Sequence, residues 1–118
     1  MRLAAIDIGS NAARLLISNV ITGPQMVPEF IKMVLVRVPL RLGFDVFDKG
    51  EISETKYEKI LKTINSYRLL LDVYDVKYVK ACATSAMRDA INAKEIIKKI
   101  EAETGILIEV ISGEDEAS

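Results

Sequence analysis

The apolar positions of the chain follow two periods, one typical of strands and one typical of helices. Short apolar runs predict strands at 3–8, 15–21, about 27–42, 76–83 and 106–111. The first run shows little polar alternation, so both of its faces are predicted to be covered. The third run carries two prolines, which favours the edge of a sheet. Residues 42–50 follow it and are predicted as a loop.

Helical periodicity appears twice between these strands. Ser53 is a predicted N-cap, and Glu54 adds a negative charge to the first turn. The apolar stripe that follows has helical spacing and comprises Tyr57, Ile60, Leu61, Ile64, Tyr67, Leu71 and Tyr74. Asn92, with Glu95 three residues later, resembles a capping box, and Gly105 is a typical stop. Residues 84–90 predict a short helical turn, and Ser112 with three acids predicts another helix start.

The predicted order β-β-β-α-β-α-β indicates an α/β fold with a mixed sheet. Right-handed crossovers would place the fourth and fifth strands beside the first, which gives the strand order 3-2-1-4-5 of a ribonuclease-H-like core. In that arrangement Asp7, Thr84, Ser85 and the segment 112–116 all lie at one edge of the sheet. This edge is where α/β sheets bind ligands.

The turn between the first two strands has the chemistry of an anion site. The amides of Gly9, Ser10 and Asn11 are predicted to line a concave nest, with Asp7 at its rim and Arg14 as a positive fork. Phosphate is the expected guest, with a metal ion or water held by Asp7. A plain hairpin that binds nothing is the alternative, since the same residues favour turns. The Lys-Ser/Thr ending of a Walker loop and the Gly-x-Gly of a dinucleotide fingerprint are both missing.

Composition narrows the class of protein. The 118 residues suit one modest domain, and the net charge of −1 gives no electrostatic footprint for nucleic acid. No histidine is present, which excludes Ser-His-Asp catalysis and the usual zinc sites. The single cysteine, Cys82, is predicted to be a buried small hydrophobe in a reducing, cytoplasmic setting. No apolar run reaches transmembrane length, and the first residues do not resemble a signal peptide.

Three separated segments together resemble one family. They are residues 5–15, residues 83–92 and residues 111–117. In order and spacing they are similar to the amino-terminal part of the exopolyphosphatase / guanosine pentaphosphate phosphatase (Ppx/GppA) family. That family belongs to the actin-like ATPase superfamily, so residues 1–118 are expected to form the amino-terminal part of its first domain, truncated before the last helix.

The resemblance implies hydrolysis of the terminal phosphate of polyphosphate or guanosine pentaphosphate. Matching positions give each candidate residue a role. The first phosphate-binding loop and its basic neighbour correspond to Asp7, Gly9, Ser10, Asn11 and Arg14. A second segment lining the cleft corresponds to Thr84, Ser85 and Arg88, and the resemblance implies that Arg88 is a catalytic residue that contacts phosphate. Glu116 corresponds to the general base that activates water. Magnesium is implied as cofactor, with Asp7 as a ligand directly or through water. Such a set suits phosphoryl transfer, which depends on positioning and charge neutralisation.

Several departures from the family pattern keep other hypotheses open. Ala12 and Ala13 replace larger or hydroxylated residues, and no second glycine-rich phosphate loop is present. A non-catalytic phosphate- or alarmone-binding module, or an assembly domain, is therefore the main alternative, and a sugar-kinase or actin-like ATPase fragment is a weaker one. Arg88 paired with a neighbouring acid, and Glu116 as a helix-start acid, are the corresponding alternatives at residue level. The apolar last strand at a sheet edge predicts a homodimer, and the isolated chain is expected to be inactive.

Overall fold

A computed structural model describes residues 1–24 and 27–111, without the side chains of Phe44, Asp45, Phe47 and Ser85. Its centre is a five-stranded mixed sheet of order β3-β2-β1-β4-β5, as predicted. The strands are β1 Arg2–Ile8, β2 Ala12–Thr22, β3 Pro28–Pro39, β4 Tyr78–Ala83 and β5 Ile108–Val110. β1 pairs antiparallel with β2 and parallel with β4, so β1 is the central strand. β3 is an edge strand with prolines at its two ends, where a missing N–H breaks no ladder.

Only one face of β1 is covered by the described residues, which corrects the prediction of two covered faces. Ala4, Ile6 and Ile8 are buried in the core, whereas Ala5 between them is exposed. The helices occupy the covered face, and the opposite face carries the side chains of the candidate site. The weak alternation in sequence arose because small Ala5 occupies an open position.

Helix α2, Glu54–Val73, covers the buried face of the sheet. Of the predicted stripe, five members are buried, and Leu61 and Tyr74 pack partly against the same core. The Tyr67 hydroxyl crosses to the sheet and donates a hydrogen bond of 3.1 Å to the carbonyl oxygen of Ala13 in β2. Burial raises the pKa of Tyr67 to about 12, because the phenolate would lose its hydration.

The prediction of a loop at 42–50 is wrong, because Leu42–Lys49 form helix α1. Arg41 precedes α1 in the left-handed conformation, and no side chain caps the helix start. Leu42 is buried, and Gly50 ends the helix with a left-handed turn whose N–H donates to the Val46 carbonyl. Burial of one helix face thus outweighs the absence of a start signal.

The remaining helices begin where the sequence indicates, but their capping differs. α3 spans Ser85–Asp89 and α4 spans Ala93–Thr104, and no side-chain hydrogen bond caps either start. The Asn92 amide instead reaches across to residue 52, where Oδ1 accepts from the Ile52 N–H at 3.0 Å and Nδ2 donates to the Ile52 carbonyl at 2.9 Å. Asn92 therefore ties α4 to the segment before α2 rather than acting as a capping box.

No described helix combines the length and the apolarity needed to cross a membrane. The predicted helix start at Ser112 lies outside the described residues, as does Glu116.

Candidate functional site

A row of polar side chains crosses the open face of the sheet near the carboxyl end of β1. Strand register places Arg14 of β2 opposite Asp7 of β1, and Arg37 of β3 opposite Arg14. On the other side of Asp7, Cys82 of β4 pairs with it in register and Glu109 of β5 pairs with Cys82. Directly opposed residues point to the same face, so these five form one polar row.

Asp7 and Arg14 are joined in the middle of this row. The Arg14 guanidinium lies 2.7 Å from the Asp7 carboxylate, and both side chains are more than a third exposed to solvent. An exposed ion pair of this kind contributes about 0–1 kcal/mol to stability. Its main consequence is positional, since it fixes a guanidinium fork beside the loop of residues 9–11.

Helix α1 and the residues before it donate hydrogen bonds to the carbonyl groups of the loop of residues 9–11. The Asn11 carbonyl accepts from the N–H groups of Leu40 and Arg41, both at 2.9 Å, and the Ser10 carbonyl accepts from the Gly43 N–H at 2.9 Å. The Gly9 N–H donates to the Ala12 carbonyl at 2.9 Å within the loop. The Gly9 amide is therefore used by a tight turn within the loop, which departs from the prediction that it lines an anion-binding nest.

Two open depressions meet at Asp7, Gly9 and Arg14. The smaller, of about 260 Å³, is also lined by residues 10–12 and by Arg37. The larger, of about 520 Å³, extends over β4 and is also lined by Ala5, Ile6, Lys80, Cys82, Thr84 and Ile111. The smaller depression joins the loop to two guanidinium groups, which is a suitable environment for an oxyanion.

Thr84, the first residue of the second predicted segment, lies at this edge. The Thr84 N–H donates to the Ile8 carbonyl at 3.0 Å, which ties the end of β4 to the end of β1. Ser85 begins α3 directly after it, although its side chain is not described. The sequence thus predicted correctly that β1 and β4 end together.

Arg88 is placed differently from the prediction. Its guanidinium donates to the Ile111 carbonyl at 3.0 Å and lies 3.8 Å from the Asp89 carboxylate. Arg88 lines neither depression, although Ile111, which it contacts, lines the larger one. The contact with Asp89 is the alternative that the sequence left open, and the phosphate role of Arg88 stays a prediction.

Three polar lining residues, Arg37, Lys80 and Cys82, were not identified from the sequence as site residues. Arg37 and Lys80 are exposed on β3 and β4, and each resembles an ordinary solvent-facing strand residue until register is known. Cys82, predicted to be buried, is only half-buried and lies beside Asp7. The periodicity of β4 contained the signal, because Lys80 and Cys82 alternate with the buried Ala81 and Ala83.

The described residues do not by themselves fit a magnesium site. Within residues 1–24 and 27–111, no three His, Cys, Asp or Glu side chains cluster closely enough to hold a metal ion. Asp7 is the carboxylate of the two depressions, and it is already paired with Arg14. Magnesium therefore stays a prediction from the resemblance, and none of the proposed chemistry is routed through it.

Comparison with known proteins identifies a family for this chain. The sequence model described as the Ppx/GppA phosphatase family matches residues 26–118. Exopolyphosphatase 1 of Mycobacterium tuberculosis is 31% identical over 117 residues, which are 99% of this chain and 33% of that protein. A bifunctional 3-dehydroquinate synthase/phosphatase of Fusobacterium nucleatum is 38% identical over 97% of this chain and 18% of its own length.

Solved structures agree with the sequence comparison. The crystal structure of the Aquifex aeolicus member of the Ppx/GppA family superposes with a TM-score of 0.90 and 34% identity, covering 98% of this chain and 36% of that one. The chain spans about a third of the length of the exopolyphosphatases it matches. The fold is accordingly the ribonuclease-H-like, actin-like fold of those structures, as predicted from the strand order. The chain belongs to the Ppx/GppA phosphatase family.

Proposed function

We propose that this chain carries the first phosphate-binding loop of a phosphatase that removes the terminal phosphate from a phosphoanhydride. Inorganic polyphosphate and guanosine pentaphosphate are the expected substrates. One observation supports the proposal above all: the loop of residues 9–11, Arg14 and Thr84 lie together at one edge of the sheet. The chain in which they do so belongs to a phosphatase family. The mycobacterial relative is named an exopolyphosphatase, which supports the polyphosphate assignment.

The described groups suit binding and charge neutralisation. Phosphoryl transfer spreads negative charge over the oxygens of the transferred group, and a fixed guanidinium stabilises that charge with little reorganisation. Arg14 is fixed in this way by Asp7 at 2.7 Å. The loop carbonyls are bonded toward residues 40–43, which sets the position of the loop backbone before a ligand arrives.

Glu116 is the proposed general base. It would orient the attacking water and accept its proton as the bond from phosphorus to the leaving oxygen breaks. The support comes from the similarity of residues 111–117 to the family motif, since Glu116 lies outside the described residues. The competing role, an acid that only stabilises a helix start, predicts that any nearby acid should matter equally.

The test is phosphate release from polyphosphate by a chimera in which this chain replaces the corresponding third of the Aquifex aeolicus relative. Glu116→Gln should lower the rate by about 10²–10⁴, the usual contribution of a general base, while polyphosphate binding is retained. Glu114→Gln removes the same charge two residues earlier and should leave the rate within a few fold. A near-normal rate for Glu116→Gln, or equal losses in both variants, would contradict the assignment.

A non-catalytic phosphate-binding module is the second candidate. The observation in its favour is that the described residues hold phosphate-binding groups but no cluster of metal ligands. A chimera that binds polyphosphate and releases no phosphate, while the unaltered relative does, would favour this candidate.

A further inference from the structure

Arg37 and Arg14 form a cross-strand pair of like charges. They are directly opposite each other on β3 and β2, on the open face of the sheet. Like charges in this arrangement destabilise a sheet. The charge of Arg14 is offset by Asp7, whereas within the described residues the Arg37 guanidinium forms no hydrogen bond or ion pair. The pair therefore leaves one uncompensated positive charge beside the loop of residues 9–11.

The position of this charge relates it to the phosphate loop. Arg37 lines the same depression of about 260 Å³ as Asp7, Arg14 and residues 9–12. Opposed residues in antiparallel strands have Cβ atoms about 4.5–5.5 Å apart. At this separation the guanidinium groups of Arg14 and Arg37 can contact two adjacent oxyanion groups. Each planar guanidinium can bind one oxyanion through two parallel N–H donors.

We propose that Arg37 binds the second phosphate group of a linear phosphoanhydride whose terminal phosphate lies at loop 9–11 and Arg14. The assignment rests on the proposed function and restricts the class of ligand that the site accepts. A site with Arg14 alone suits any single phosphate, including a monoester or orthophosphate. A site with both arginines selects molecules in which two phosphates are directly linked, such as a polyphosphate end or a nucleoside polyphosphate.

That Arg37 has no partner among the described residues has a physical reason under this proposal. An anion bridging Arg14 and Arg37 converts the repulsion of the pair into attraction, because each guanidinium then faces negative oxygens. The repulsion between the two guanidinium groups is present in the protein without an anion and is removed when an anion binds. Ligand binding and thermal stability are therefore coupled through Arg37.

The test is calorimetric titration of the 118-residue chain with inorganic pyrophosphate and, separately, with orthophosphate at fixed ionic strength. The wild-type chain should prefer pyrophosphate. Arg37→Gln should weaken pyrophosphate binding about tenfold, the effect expected from losing a charged hydrogen-bonding partner, and change orthophosphate binding by less than twofold. The melting temperature of Arg37→Gln without anion should equal or exceed that of the wild type, since the repulsion is gone.

Lys32→Gln is the matched control. Lys32 is also exposed on β3, and it lies opposite Ser18, five residues and about 16 Å along the strand from Arg37. The substitution Lys32→Gln removes the same formal charge without changing a residue that lines the depression, so this variant should retain the preference for pyrophosphate.

Three results would overturn the assignment. An unchanged pyrophosphate preference in Arg37→Gln would remove Arg37 from the site while leaving the phosphate loop and the proposed function intact. Equal losses in Arg37→Gln and Lys32→Gln would show that general charge, not position, attracts the anion. Failure of the wild-type chain to bind either anion would contradict the phosphate site as a whole.

Discussion

Gly9, within the loop of residues 9–11, and Gly43, which packs against it, have different physical roles. A Cβ at Gly9 would lie 3.4 Å from the Ala12 carbonyl oxygen and 3.9 Å from the Thr84 hydroxyl oxygen, which are ordinary contacts. A Cβ at Gly43 would lie 3.1 Å from the Ser10 Cβ, which is tighter than packed side chains usually allow. Gly43 thus lets α1 approach the loop, whereas Gly9 keeps space open where a ligand would approach the backbone.

This difference gives a paired prediction for Gly9→Ala and Gly43→Ala. Gly9→Ala should change the free energy of unfolding by less than about 0.5 kcal/mol, because the methyl group clashes with nothing in the protein. Under the proposed function it should nevertheless weaken pyrophosphate binding at least tenfold, since Gly9 lines both depressions and an added methyl group would oppose the approach of an anion to the backbone there. Gly43→Ala should lose about 1 kcal/mol, with overpacking exceeding the gain in helix propensity.

Urea unfolding followed by circular dichroism measures the free energy of unfolding, and calorimetric titration measures the affinity for pyrophosphate. Wild-type affinity in Gly9→Ala would show that no ligand approaches the loop there.

At the scale of elements, patterns within one segment were predictable and contacts between segments were not. The stripe of α2 follows from local periodicity and matches the structure. The strand β4 was predicted as an apolar run, but its alternation was not, so Cys82 was wrongly predicted to be buried. Helix α1 was missed because its start rests on a left-handed Arg41 without a capping side chain. Asn92 was misassigned because its partner, Ile52, lies 40 positions away in the chain.

The contact between α2 and β2 predicts how stability depends on pH. The raised pKa of Tyr67, about 12 in the fold against 10.0 ordinarily, means that the folded state holds the phenolic proton more tightly. The resulting stability is fully present below pH 10 and is lost as pH rises from about 10 to 12, because the unfolded chain loses its proton first. Tyr67→Phe should remove this alkaline loss.

The same variant should cost about 1 kcal/mol at pH 7, since the Ala13 carbonyl loses the hydrogen bond from the hydroxyl. Thermal unfolding between pH 7 and 12 measures both effects. Tyr78→Phe is the control, because Tyr78 is exposed and its substitution should leave the pH profile unchanged. A profile for Tyr67→Phe that still declines like the wild type would assign the alkaline loss to other groups.

For the molecule as a whole, the strand order was predictable because meander and crossover connections leave few arrangements. That order also brought Asp7, Arg14 and Thr84 to one edge, as expected. Arg37 and Lys80 could not be assigned, because their membership in the site depends on the register between neighbouring strands, which the sequence pattern of one strand does not reveal. The strand order also leaves β5 at the outer edge of the described sheet, where the side chains of Leu107 and Val110 are 77% and 41% exposed.

The exposed apolar side chains at this edge are the basis of the final prediction, that the 118-residue chain self-associates as a twofold dimer. β5 is an edge strand of the described sheet, and exposed apolar side chains beside such an edge favour pairing with another chain. A twofold axis beside β5 would let two copies bury these side chains against each other. Sedimentation velocity at micromolar concentration should therefore show a dimer.

Val110→Lys should shift the chain to monomer, because a lysine on an edge strand opposes pairing. Leu35→Lys, an equally drastic change at an exposed position of the opposite edge strand β3, should leave the dimer intact. A wild-type monomer would contradict the prediction, and dissociation by Leu35→Lys alone would move the interface to β3.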